Sequence, residues 1–252
     1  MNEEHLAAFG SAGLLVGANL AYTIARDVNL KTLDLSRIDL YMADLSRADL
    51  SHAVMSDADL SEANLSWCIM IGTNMRHASC ISTNLCGTDL GEADLSKANL
   101  TLADMSWCRL EKADLTGACL SRASLRHANL REARLSTCSL READLTGADL
   151  SFAILDDSNL HQAKLEGANL RGAFLCRTNL IGADLSRSNL TEASLEDAVL
   201  KGVNLESAQL IRANLRGAIL LDAIRTNACF EGANMDLVNV GITTGGGRAF
   251  QS

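Results

Sequence analysis

An all-β solenoid is the fold class this sequence predicts, and three observations predict it. Every fifth residue from Leu30 to Leu220 is apolar: Leu throughout, except Met55, Met70, Met75, Cys80 and Met105. Two residues before each stands something small, usually Ala, otherwise Thr, Ser, Cys or a modest aliphatic such as Val28, Leu33, Ile38 or Val203. The residue between them is mostly Asp or Asn.

Neither ordinary period explains this beat. A helix stripe returns at three, four and seven residues, and a strand alternates every second residue along its length. A helical stripe repeating every five residues rotates around its cylinder and cannot bury itself against anything. An extended segment can place the spine residue, written i, and the small residue at i−2 on the same inner face. Positions i−1, i+1 and i+2 then face water, and the chain bends before the next five. Each unit buries its apolar face only against its neighbours, which is the logic of a solenoid.

Segments such as Ala93-Asp94-Leu95-Ser96-Lys97 and Ala213-Asn214-Leu215-Arg216-Gly217 give the chain its resemblance to the pentapeptide-repeat proteins, whose consensus is A(D/N)LXX. The resemblance covers some four-fifths of the sequence. It implies a right-handed quadrilateral β-helix with four pentads, hence twenty residues, in each coil. About eleven such coils stacked ~4.8 Å apart make a rod on the order of 50 Å long.

Taken in order, residues 1–10 read as an N-terminal cap containing a short helical turn or irregular segment. Residues 11–240 read as the repeat, degenerate at 11–27, where a capping helix is the rival, and at 221–240. Arg225 stands where Leu is expected, and a buried guanidinium is costly. A bulge or an open last coil is therefore expected over residues 224–227. Residues 241–252, with Gly245-Gly246-Gly247, read as a flexible tail and do not resemble the C-terminal dimerisation helix of some family members, which leaves a monomer or weak dimer. No basic leader precedes an apolar core near the N-terminus, and no stretch approaches the ~20 apolar residues of a membrane span. The expected compartment is the cytoplasm.

The eight cysteines do not read as a disulfide framework. Cys68, Cys108 and Cys138 take the inward place of Ala, and Cys80 takes that of Leu. Cys86, Cys119, Cys176 and Cys229 face out, with no second Cys twenty residues away. Free thiols in a reducing compartment are the expectation. His52, His77, His127 and His161 fall in different columns or far apart, so no metal-ligand set assembles. No nucleophile–base pair stands out, and a regular surface offers no water-excluding pocket. The sequence therefore reads as non-enzymatic, without cofactor or metal.

What protrudes must carry the function. Some family members mimic DNA and bind type II topoisomerases, which makes such an enzyme the alternative partner implied by the resemblance. A mimic needs acidic density along one side to replace phosphates. Here the net charge of −9 is divided over four sides that each carry both signs. It disfavours direct nucleic-acid binding but builds no phosphate ladder. The leading expectation is a scaffold rod presenting side-chain columns to a protein partner. The most distinctive column is Arg47, Trp67, Gly87, Trp107, His127, in which two exposed indoles flank a glycine slot; the rival is that each indole merely shields the spine beneath it. A second candidate, on the least charged side, holds Tyr41, Met42, Ile81 and Leu102, with Ile181, Ile219 and Leu221 further along.

Overall fold

The computed structural model describes residues 15–241. Through this range the chain repeats a parallel register of twenty residues, from Asn19 paired with Asp39 to Ile219 paired with Asn239. The pairs fall at every i−1 position and each is isolated, because only three residues of each pentad are extended before the next turn. No helix occurs over residues 15–27; Asn19 and Ile24 already pair in register. The expected cap (1–10), the start of the degenerate coils (11–14) and nearly all of the tail (242–252) lie outside the described residues.

One pentad shows how the backbone is satisfied. The Leu95 amide donates to Asp114 O in the next coil (2.7 Å), and Asp94 donates to Thr73 O in the previous one (2.9 Å). Lys97 donates to Thr116 O (3.0 Å), and Ala98 closes the turn on Leu95 O (3.0 Å). Only the i+1 amide is left over, and Ser96 N donates it to Asp94 Oδ1 at 3.0 Å. Buried amides must be paired, so the Asp/Asn row serves as a row of Asx turns. The same bond recurs at Ser46, Thr116, Thr146 and Asn189-Leu190-Thr191.

The third residue of each turn, at i+2, has positive φ at every pentad from Gly17 to Leu237, as a type II turn requires. Most of these residues are not glycine. The ladder on both sides outweighs the ~1–2 kcal/mol that such a φ costs an L-residue.

Inside, the Leu spine and the small i−2 column form one continuous core from Leu15 to Leu220. Polar i−2 residues are satisfied inward: Thr83 Oγ1 donates to Leu60 O (2.7 Å) and Thr88 Oγ1 to Leu65 O (2.8 Å). All eight cysteines are free; Cys68, Cys80, Cys108 and Cys138 are buried, and the other four are half-buried. No helix among the described residues is long and apolar enough to cross a membrane.

The bulge expected at residues 224–227 does not form. Asn204 pairs with Ile224 and Gln209 with Cys229 in unbroken register, and Ala228 N closes a turn on Arg225 O at 3.1 Å. Arg225 holds the inward place of Leu but is only half-buried. It belongs to the last described coil, where Phe230, Met235, Val238 and Val240 also pack on the core without full burial.

Candidate protein-binding face

The predicted column is real, but its members do different things. Arg47 is committed within the chain: Nε and Nη2 donate to Asp27 Oδ1 and Oδ2, both at 2.6 Å. The hydrogen bonds from Arg47 hold the Asp27 carboxyl below its ordinary range, and the same pairing raises Arg47. Trp67 leans toward the C-terminal end and lies against Gly87, where an added Cβ would meet ring atoms at 2.5 Å. The glycine slot expected between the indoles is therefore filled by Trp67 itself. Trp107 stacks on His127, with centroids 4.4 Å apart and planes at 27°, and His127 in turn covers Gly147. Trp67 and Trp107 remain 64% and 60% exposed, so lying over the neighbouring coil leaves most of each ring in water.

The second candidate does not form a row. Tyr41 is half-exposed, meets Tyr22 edge-on at 5.6 Å, and donates its hydroxyl to Glu62 Oε1 at 3.2 Å. Met42 and Leu102 are exposed in one column, but Glu62 and Ser82 stand between them. Ile81 occupies the neighbouring column; Ile181, Ile219 and Leu221 lie half-exposed, several coils away.

Reading columns along the rod missed what runs across it. Trp67, Ile69 and Ile71 are alternate residues of a single coil, and all three are exposed. Ile69 replaces the Asx residue, so it offers the Ile71 amide no acceptor. The next coil is low, with Gly87, Asp89 and Gly91, and the one after carries Trp107, Arg109, Glu111 and Lys112. Between them lies a depression of about 250 Å³ lined by Ile71, Asp89, Gly91, Glu92, Arg109, Glu111 and Lys112. Arg109 spans its floor and wall, with Nη1 3.4 Å from Asp89 Oδ2 and Nε 4.0 Å from Glu111 Oε1. A second transverse cluster is Phe152, Ile154 and Phe174. The Phe152 ring lies over Gly172, and the Arg131 guanidinium sits 5.3 Å from its centroid. The sequence signal for both clusters was an aromatic at i+2 followed two residues later by an apolar residue in the Asx place.

Part of the surface charge is paired within the chain. Arg26, Arg76 and Arg126 pair with Asp44, Asp94 and Asp144, and Arg177 grips Asp157 through two bonds of 2.7 Å. Carboxylates neutralised in this way do not form a ladder of free negative charge. Among the described residues no group of three or more His, Cys, Asp or Glu is arranged to hold a metal ion.

Comparison with known proteins gives the family. The family model for pentapeptide repeats matches in successive segments between residues 14 and 236. Among solved structures, the chain is similar to HetL, a pentapeptide repeat protein involved in heterocyst differentiation regulation from the cyanobacterium Nostoc sp. strain PCC 7120. That match has 33% identity over 94% of this chain and 96% of that one, with a TM-score of 0.41. Rfr23 from the cyanobacterium Cyanothece 51142 is 36% identical over 37% of this chain and 64% of its own, with a TM-score of 0.36. QnrB1, a plasmid-mediated fluoroquinolone resistance protein, is 15% identical over 89% of this chain and 92% of its own, with a TM-score of 0.32. A comparison with curated proteins returns no match. With the twenty-residue register, the Asx row and a family match across most of its length, the chain belongs to the pentapeptide-repeat family.

Proposed function

We propose that this chain is a non-catalytic scaffold: a right-handed, four-sided rod that binds a protein partner in the cytoplasm. The observation that carries the reading is the exposed row Trp67–Ile69–Ile71, continued by Trp107 two coils away. Trp and Arg are favoured anchors at protein interfaces, and Arg109, on the Trp107 coil, reaches Asp89 in the coil between the two indoles. Ile69 gives up the Asx bond that Asp94 makes to Ser96, as other apolar residues in that place do, so it is the exposure of the whole row beside Trp67 and Ile71 that marks the face. Eight free thiols suit a reducing compartment.

The test is affinity capture from the native host followed by mass spectrometry, using the wild-type chain and Trp67→Ala/Trp107→Ala. The reading expects at least one stoichiometric protein to disappear with the double variant. An identical set of captured proteins would remove this face from consideration.

A further inference from the structure

Gly91 is the one glycine among the described residues that is not at positive φ. The others stand where the backbone favours glycine, mostly at the third residue of a turn. Gly91 stands at i+1, a place that carries a side chain in every other described pentad through Asp236, most often Ser, Thr or Arg. Crowding does not account for it either: a Cβ there would meet only Asp89 Oδ1, at 3.3 Å. Neither conformation nor packing calls for glycine, and its one structural consequence is to open the floor of the depression beside Ile71.

The opening is a trough running across the rod. One wall is apolar, formed by Ile71 with the exposed Ile69 two residues before it; the other is polar, formed by Arg109, Glu111 and Lys112. The coils bearing the walls are two steps apart, so their backbones stand roughly 10 Å from one another. Side chains narrow that gap further. An α-helix, about 10–12 Å across with its side chains, cannot drop into it, whereas an extended chain can. At about 250 Å³ the depression falls below the ~300–1,000 Å³ of ordinary small-molecule pockets. It is sized as one subsite beneath a longer ligand.

We infer that the trough over Gly91 receives an extended segment of a partner protein, laid across the rod with alternate side chains against Ile69/Ile71 and against the Arg109–Glu111–Lys112 wall. Alternation is the property of an extended chain that matches one apolar and one polar wall. The polar side of the segment is uncharged, because Arg109 is already paired with Asp89 and Glu111, and Glu92 stands near Lys112. A strongly acidic or basic stretch would leave part of that mixed set, three carboxylates against two cations, facing its own sign. The inference rests on the protein-binding reading of the same face and specifies its partner.

The experiment selects a displayed library of random linear dodecapeptides on the full-length chain and measures the enriched peptides by titration. The expected result is a set alternating apolar with uncharged polar residues, whose binding falls at least tenfold with Gly91→Leu and with Ile71→Ser. Gly91→Leu requires no unusual φ, so its melting curve should overlay the wild type; Ile71→Ser supplies the independent loss if it does not. No enrichment, helical peptides in the bound state, or equal binding to wild type and both variants would overturn the inference. A native partner that is lost with Trp67→Ala/Trp107→Ala but tolerates Gly91→Leu and Ile71→Ser overturns the trough alone and leaves the broader reading standing.

Discussion

The indole of Trp67 lies against Gly87 in the next coil, so close that a methyl group built on that glycine would stand 2.5 Å from the ring. The same relationship joins His52 to Gly72, His127 to Gly147 and Phe152 to Gly172. In each case a ring at i+2 occupies the space left by a glycine twenty residues later. Gly87→Ala should therefore displace the indole and impose a methyl group at φ +70°. A loss of about 1–2 kcal/mol is expected from the backbone alone, with a red shift in Trp67 emission. An unchanged emission spectrum would show that the ring does not rest where the structure puts it.

Thiol chemistry should separate the inward from the outward cysteines. Burial pushes the Cys68, Cys80 and Cys138 thiols up to about 12, and Cys108 is raised in the same way. Cys119 goes the other way. Partial burial alone would raise it, but hydrogen bonds from Thr101 and from Ser121 bring it below its ordinary value. Because the thiolate is the nucleophile, iodoacetamide at pH 8 should label Cys119 first and the four buried thiols only after unfolding. Peptide mapping by mass spectrometry reads the order.

The Asx carboxylates should make stability sensitive to acid. Partial burial alone would raise Asp94 and Asp144, but hydrogen bonds outweigh it. Asp94 accepts from the Ser96 hydroxyl and amide and from Arg76; Asp144 accepts from the Thr146 hydroxyl and amide and from Arg126. Both are held below 3.8. A folded-state value below the unfolded one adds stability that is present above about pH 4 and is lost as pH falls through the lowered value. Melting followed by circular dichroism from pH 7 down to about pH 2 should show this loss. Asp94→Asn/Asp144→Asn keeps an oxygen acceptor and should flatten the acid limb.

Paired surface charge gives a negative expectation for topoisomerases. A DNA mimic needs unneutralised charge along its length, whereas Asp44, Asp94, Asp144 and Asp157 each hold an arginine. The purified chain at micromolar concentration should leave gyrase supercoiling unchanged; inhibition or relief from a gyrase poison would restore the mimic reading.

The spine was fully legible in the sequence, because Leu95 and Ala93 answer to one local geometry repeated without interruption. The purpose of Asp94 was legible too, since an Asx side chain beside a turn has a backbone amide to satisfy. The face was harder to read. A column along the rod joins Trp67 to Gly87 and Trp107, whereas a turn residue also stands beside Ile69 on its own coil. The pairing of Trp67 with Gly87 was written in their twenty-residue separation, but a slot and a filled contact look alike until the side-chain lean is known. Gly91 carried the clearest unread signal, a glycine at a turn position that does not require one. Arg225 pointed to a bulge or an open last coil, and the second fits the end of the described stack, where the inward place is only half-closed.

Whether Trp67 and Trp107 serve binding or merely cover the spine is decided by unfolding free energies of two variants measured side by side. Leu115 is fully buried in mid-rod, and Leu115→Ala should cost about 2–5 kcal/mol. Trp67→Ala/Trp107→Ala, acting on rings that are mostly in water, should cost under ~1 kcal/mol, as surface changes usually do. A double variant as destabilised as Leu115→Ala would contradict the account, because the indoles would then belong to the fold and not to a partner.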